Sequence, residues 1–440
     1  MAKRGVVTTG GTLYMGAVAG SPPPPPPPPG GGGGTYDPDS LASYAFGPST
    51  SYSMPGGAIP LPPGAGGAAN LNTIANASSQ ATFWFETGLH NMPGWPSMKG
   101  GQRFLGAPGA ILDGMGTTEF AFYGSAPDIT VRNLEIRNFN NPIQLPCVRA
   151  GGHSEGESTT GWQVVNNNIH NNVGGIRIGS NMLVQGNKIN DNYQIGIGGI
   201  GNNSIMEYNE IARNNAAYGY NAGFEAGGSK WVLTNGLIVR RNFPHHNGGP
   251  GLWTDIDNDT VLYEENLVED NGQMGIFHEI SWQCLIRFNK IRRNGFYNPV
   301  YAYGAGILCS ESSNVEAHGN FLQDNWNELS AVQGNRVADG PGKYGTGFKV
   351  RNLYYHDNTV VKTFKPAADS SGNGAIAAGL MTGNQPEVFT SENNRFEDND
   401  YYLSNSTNNW FAWDNGNRPW GSWNSYGNDT PGGTLTVGVP

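Results

Sequence analysis

Asn266-Leu-Val-Glu-Asp-Asn271 and Asn289-Lys-Ile-Arg-Arg-Asn294 are two copies of one unit: an asparagine, an apolar residue two positions on, and a second asparagine five after the first. The pair recurs at Asn167–Asn172, Asn187–Asn192, Asn209–Asn214, Asn242–Asn247, Asn320–Asn325 and Asn394–Asn399. The intervening residue is Ile, Val, Leu or Phe in every copy but one, where it is Pro244. Starts are 20, 22, 33, 24 and 23 residues apart as far as Asn289, then 31 to Asn320. Short apolar strands punctuated by Asn and Gly at this period predict a solenoid. Stacked turns let each buried asparagine amide bond to its copy in the next rung, so the polar groups find partners.

Composition agrees. A chain of 440 residues exceeds what one compact core holds, but a solenoid grows in one dimension. Its 66 glycines and 14% charged residues suit tight turns between strands faced with polar side chains. A net charge of −10 argues against a general grip on nucleic acid, and no apolar run has the length of a membrane span. Cys147, Cys284 and Cys309 have no metal-like spacing and read as buried free thiols. Lys3 and Arg4 precede a stretch ending Ala17-Val-Ala19 that mimics a cleavage site, but its glycines and threonines make a poor apolar leader.

Residues 1–80 show no periodicity. Pro22–Pro29 favours a stiff polyproline rod and Gly30–Gly34 a free joint, so the segment is expected to be an extended arm and an assembly anchor. Strand patterning begins at Ala81-Thr-Phe-Trp-Phe-Glu86, and the solenoid is expected over 81–400. Insertions at Ala216–Gly236 and Phe296–Gly304 break the spacing, and Asn358 keeps the first asparagine without the second. Residues 401–440, with Trp410, Trp413, Trp420 and Trp423, read as an aromatic cap hiding the last sheet edge.

Phe104-Leu-Gly-Ala-Pro-Gly-Ala-Ile-Leu-Asp-Gly114, Lys230-Trp231, Asn247-Gly-Gly-Pro-Gly-Leu-Trp-Thr-Asp-Ile-Asp-Asn258 and Gly275-Ile-Phe-His-Glu-Ile-Ser281 carry a resemblance. The chain resembles the right-handed parallel β-helix repeat proteins, the superfamily of tailspikes and pectate lyases, over roughly residues 80–430. The resemblance implies an all-β fold, a right-handed parallel β-helix. It also implies a phage virion tail component, either tailspike-like or a minor tail protein. Such a protein engages cell-surface polysaccharide through the helix, docks on other tail proteins through residues 1–80, and is often a homotrimer. A secreted bacterial polysaccharide hydrolase or lyase, and a non-catalytic surface adhesin, are the alternatives, because this fold serves all of them.

Glycine-led segments follow the asparagine pairs: Gly175–Gly179, Gly196–Ile200, Gly223–Gly227, Gly251–Asp255, Gly275–Glu279, Gly306–Ser310 and Gly347–Arg351. The residue after each glycine is Ile, Leu or Phe and points inward, so strand alternation defines two outward columns. One runs Arg177, Gly198, Glu225, Trp253, Phe277, Leu308, Lys349; the other runs Gly179, Ile200, Gly227, Asp255, Glu279, Ser310, Arg351. Asp255 and Glu279 thus fall on neighbouring rungs about 4.8 Å apart, with Glu225 one rung earlier. Stacked carboxylates raise one pKa, which suits a division into acid and base or nucleophile for glycoside hydrolysis. Catalytic roles are therefore expected for Asp255, Glu279 and Glu225, and substrate contacts for Trp253, Phe277, Asp257 and Arg177. Two other readings stay open: strand-end carboxylates tied to turn amides or to Arg287, Arg292 and Arg293, and Ca²⁺ held by Asp255, Asp257, Asp259 and Glu279. No cofactor is otherwise expected. His278 points inward by the same parity, and the outward cations are too few to favour a lyase.

Overall fold

In the computed structural model, which describes residues 36–64, 66–152, 159–336, 342–368 and 374–440, each repeat is one coil of three short strands. Gln163–Val165, Asn168–His170 and Gly174–Ile178 make one coil; Leu183–Gln185, Lys188–Asn190 and Ile195–Gly199 make the next. Register is in step, with Val164 beside Val184, Ile169 beside Ile189 and Ile176 beside Ile197. Stacking gives three sheets of 13, 13 and 12 strands among the described residues, a right-handed parallel β-helix. Its strands pair in parallel except for the hairpin of Phe411–Trp413 with Gly416–Arg418. The apolar residue between each pair of asparagines fills the core, from Ile169 to Phe396. No described helix is long and apolar enough to cross a membrane.

The corners explain the asparagines. The residue before each ladder asparagine is left-handed: φ is 54° at Asn166, Tyr208 and Arg241 on one corner, and 53–54° at Asn171, Arg213 and Asp270 on the next. Such a conformation costs a non-glycine residue about 1–2 kcal/mol. The asparagine that follows offsets the cost by bonding the amides the turn leaves open. Asn167 Nδ2 donates to Asn187 Oδ1 at 3.0 Å, and the ladder continues through Asn209, Asn242, Asn266, Asn289, Asn320 and Asn358 to Asn399. It ends on Asp429 Oδ1 at 2.8 Å. A second ladder runs from Asn172 through Asn192, Asn214, Asn247, Asn271 and Asn294 to Asn325, and ends on Glu328. Asn394–Asn399 spans different corners from the other pairs. Asn399 belongs to the first ladder, while Asn394 Oδ1 accepts from Leu353 N at 2.9 Å on the third corner.

Asn214→Ser is expected to destabilise the helix by about 2–3 kcal/mol, since the shorter side chain cannot bridge Asn192 and Asn247 in a buried stack. A lowered urea midpoint checks this; an unchanged midpoint would mean that water replaces the amide without penalty.

The expected 1–80 arm is corrected from Asp37 onward, where the chain joins the compact unit that runs to Pro440. Residues 37–53 form a strap running back across the rungs. Asp37 and Asp39 pair with Lys290, and Asp39 with Arg292. Tyr44 stacks on Tyr208, Gly47 N donates to Gly186 O, Ser49 N to Asn133 Oδ1, and Tyr52 meets Trp84. Ile59–Leu61 is then the first strand, and helix Gly67–Asn76 covers the open end with buried Ile74. Composition hid this because polar turns rich in Gly, Pro and Ser read alike whether free or docked. The Pro22–Pro29 rod lies outside the described residues. At the other end Trp410, Phe411, Trp413 and Trp423 are buried, and Trp423 Nε1 and Tyr401 OH both donate to Asp429 Oδ2. The solenoid continues past 400, since Asp400–Leu403 is itself a rung strand.

Candidate functional site

Two insertions loop over the outer face of the third sheet, and beneath them the strand register differs from the sequence expectation at two rungs. The first insertion extends to Ala226, so the rung strand is Gly227–Trp231, with Ser229 beside Ile197 and Lys230 beside Gly198. Lys230, not Glu225, therefore stands between Gly198 and Trp253 in the outward column. Later in the chain the rung is Asn327–Gln333, which puts Ser330 beside Leu308 and leaves Lys349 and Arg351 off this face. Both misplacements come from taking a glycine followed by an aromatic as the start of a strand: Gly223-Phe lies in the first insertion, while Gly347-Phe lies beyond Asn327–Gln333, which follows its asparagine pair directly but has no leading glycine. The column is Arg177, Gly198, Lys230, Trp253, Phe277, Leu308 and Ser330.

Asp255 and Glu279 do occupy neighbouring rungs, directly after the paired Thr254 and His278. Lys230 Nζ lies 2.8 Å from Asp255 Oδ2, 4.0 Å from the centre of the Trp253 ring, and donates to Phe224 O at 2.6 Å. Asp255 Oδ1 is buried and makes no hydrogen bond. Glu279 Oε1 accepts from Arg336 Nη1 at 3.1 Å. Burial, followed by the negative charge of Asp255, pushes the Glu279 carboxyl up to about 7 against the opposing pull of Arg336 and Lys230. Glu279 opens into a cavity of about 300 Å³ walled by Trp253, Phe277, Tyr297 and Tyr303. Trp253 and Phe277 stack at 5.4 Å and 15°. A second cavity of about 300 Å³ lies over the preceding rungs and holds Arg177, Lys230 and Glu225.

Of the seven residues expected here, Asp255, Glu279, Trp253 and Phe277 come together, while Arg177 and Glu225 face the adjoining cavity. Asp257 does not join them: its Oδ1 accepts from Trp282 Nε1 at 2.7 Å and Lys343 N at 2.9 Å, fastening a loop. Asp259 is likewise held by Lys343 Nζ and the Tyr344 hydroxyl. The oxygen set considered for Ca²⁺ is thus divided, and among the described residues no three His, Cys, Asp or Glu side chains converge as a metal site. Arg287 pairs with Glu264 on the first sheet, and Arg292 and Arg293 pair with Glu269 and Asp270 at the second, none of them with the acidic pair. Lys230, Tyr303 and Arg336 escaped the sequence reading. Only Lys230 left a signal, since starting the strand at Gly227 sends it outward.

Beneath the site His278 faces the core. Its Nδ1 lies 2.8 Å from Thr254 Oγ1 and its Nε2 2.8 Å from Trp282 O. Burial pushes it down to about 4, so the folded chain keeps it neutral. The unfolded state, with His near 6.5, binds more protons between those values. Its contribution is therefore present above pH 6.5 and lost as pH falls toward 4, in total about 3 kcal/mol. Urea melts at pH 7 and pH 4.5 are expected to show a smaller acid loss in His278→Gln than in the unaltered chain.

Comparison with known proteins agrees with the fold. Residues 153–322 match the model of a right handed beta helix region. No curated protein matches the sequence significantly. Among solved structures, the chain is similar to the A-module of the Azotobacter vinelandii mannuronan C-5 epimerase AlgE6, with 13% identity over 92% of this chain and 100% of that one, at a TM-score of 0.51. It is similar also to the catalytic unit of a thermostable GH87 alpha-1,3-glucanase from Streptomyces thermodiastaticus strain HF3-3, with 11% identity over 89% and 70% and a TM-score of 0.52. The Dettilon tailspike protein matches at 12% identity over 72% and 63%, with a TM-score of 0.45. At these identities the likeness is one of fold.

Proposed function

We propose that the chain engages a polysaccharide along the outer face of its third sheet and cleaves it by hydrolysis, with Glu279 as general acid. The observation that carries this is a carboxyl raised to about 7 at the wall of an aromatic cavity. Such a group is about half protonated at neutrality and can deliver its proton to a leaving glycosidic oxygen. Trp253 and Phe277, only 2% and 3% exposed, make the apolar floor of the cavity, and Tyr297, 38% exposed, offers a sugar ring the face to lie on. Asp255, one rung away, supplies the negative charge that helps hold the proton on Glu279; its own carboxylate is buried against Lys230 and does not line the cavity, so water is the nucleophile that completes the hydrolysis. Lys230 holds Asp255 in place. That two of the similar structures are a polysaccharide epimerase module and a glucanase supports a carbohydrate partner.

The setting in this proposal is a phage tail facing the host surface. The proline- and glycine-rich stretch ahead of Asp37 would act as the anchor, and three buried free cysteines suit a chain carried outward by particle assembly. Mass spectrometry of purified virions tests the setting, and detection only in culture supernatant of uninfected cells favours a secreted enzyme. Incubating the purified chain with a panel of bacterial envelope polysaccharides tests the chemistry. New reducing ends without absorbance of unsaturated uronates are expected. Unsaturated products would mean elimination, with Lys230 and Arg177 as the cations a uronate needs; no products at all would leave an adhesin.

A further inference from the structure

We infer that the corner between the second and third sheets carries a separate sugar-binding platform, which holds a distal part of the same polysaccharide; this rests on the glycan reading above. An open groove of about 510 Å³ runs along that corner, lined by Tyr218, Tyr297, Phe296, Phe364, Asp270 and Arg293. Its aromatic rings come from both insertions and from the turn after Lys362, so they are additions to the coil and not part of its core.

The backbone beneath is shaped to seat them. The residue after the second ladder asparagine is glycine at 248, 272 and 295, where the flanking coils carry Asn215 and Trp326. A Cβ at Gly272 would stand 2.6 Å from the Tyr218 hydroxyl oxygen, and one at Gly248 3.3 Å from its Cδ1. Tyr218 therefore lies close against the corner because the coil has no side chain there. Tyr297 stacks on it at 3.7 Å and 13°, and Tyr297 N is fixed by Gly272 O at 2.9 Å. Phe296 and Phe364 are near-parallel, 6.3 Å apart at 26°. These four rings keep 37%, 38%, 43% and 45% of their surface in water, although each is large and apolar.

A protein partner binding through apolar burial would favour an uncharged centre. This groove has instead a polar floor. Arg293 Nε and Nη2 each lie 2.9 Å from an Asp270 carboxylate oxygen, and the Asp324 carboxylate accepts from Thr363 N and Oγ1 at 2.8 and 2.9 Å. Aromatic faces beside charged hydrogen-bonding edges match a pyranose, which has an apolar face of C–H groups and a rim of hydroxyls. Tyr297 also walls the Glu279 cavity, as do Asn298, Pro299 and Val300. The second insertion is thus a ridge common to both, and a glycan crossing it would touch the acid and the platform at once. From Asp270 to Phe364 the platform spans three rung steps, about 14 Å.

The test is affinity electrophoresis of the full chain through gels cast with each panel polysaccharide, using Glu279→Gln so that nothing is cut. At least one polysaccharide is expected to retard this protein. Adding Tyr218→Ala or Phe364→Ala is expected to weaken retention about tenfold with an unchanged melting temperature. Phe364→Ala alone, at a ring that lines the groove but not the Glu279 cavity, is expected to cleave short oligosaccharides of that polymer at the unaltered rate. Equal retention with and without the rings overturns the platform. Cleavage by the unaltered chain of a polysaccharide that retards nothing overturns the platform alone, whereas neither cleavage nor retention overturns the glycan reading too. If either ring substitution dissociates an oligomer, the corner is an interface between copies and the platform is wrong.

Discussion

Lys362→Met is expected to lower stability by about 2–4 kcal/mol, because it leaves the Glu328 carboxyl and the carbonyls of Asn325 and Trp326 without their buried donor. Both side chains are fully buried, with Lys362 Nζ 3.3 Å from Glu328 Oε1. Their position explains why an acid–base pair sits in the core. The second asparagine ladder runs out at Asn325, where the next coil has no asparagine to continue it. Glu328 Oε2 accepts from Asn325 Nδ2 at 2.6 Å, and Lys362 Nζ donates to the carbonyls of Asn325 and Trp326. The pair therefore closes the polar groups that the ladder leaves open. Burial pushes Glu328 up to about 8 and Lys362 down, since each loses the water that would stabilise its charge. Glu328→Gln with Lys362→Met removes both ionisable groups and keeps an acceptor for Asn325, so the double variant is expected to recover part of the loss. Because solenoid coils unfold semi-independently, hydrogen exchange over residues 320–333 and 354–362 is the sharper readout. Unaltered protection there in Lys362→Met would show that the pair contributes nothing.

That pair also marks where the sequence stops being legible. The repeat Asn-x-apolar-x-x-Asn revealed the coils because its meaning is local: a left-handed corner needs an adjacent amide, and the spacing of five carries the chain from one corner to the next. Inward and outward positions of Trp253, Asp255, Phe277, His278 and Glu279 followed from alternation within strands that begin right after the pair. Where an insertion separates pair from strand, the start has to be guessed. Gly223-Phe-Glu imitates a strand start ahead of the true strand Gly227–Trp231; Asn327–Gln333 does follow its pair directly but has no leading glycine, so Gly347-Phe-Lys beyond it imitates the start instead. The cost fell on the site, because Lys230 partners Asp255 while Arg336 reaches Glu279 from 57 residues away. No local pattern encodes such a contact. The strap from Asp37 was invisible for a related reason: its hold on Lys290, Arg292 and Tyr208 depends on how many coils separate them in space.

Glu279→Gln is expected to reduce polysaccharide cleavage by about 10²–10⁴-fold while leaving the fold and glycan retention intact. The amide keeps the size of the carboxyl and can still accept from Arg336, but it has no proton to give. The pH profile separates this role from a merely structural one. An acid whose pKa is about 7 works in its protonated form, so the rate of the unaltered chain is expected to fall as pH rises through 7. Asp255→Asn removes a negative charge that helps raise that pKa, so in this variant the alkaline limb is expected to move to lower pH. The same change leaves Lys230 without its carboxylate at a site where both are buried, so some loss of stability accompanies the shift. Profiles are therefore to be measured at a temperature where both variants remain folded by circular dichroism. A rate in Glu279→Gln within threefold of the unaltered chain would remove Glu279 from the chemistry. An Asp255→Asn limb that stays in place would show that burial alone keeps the proton on Glu279, leaving Asp255 only its contact with Lys230.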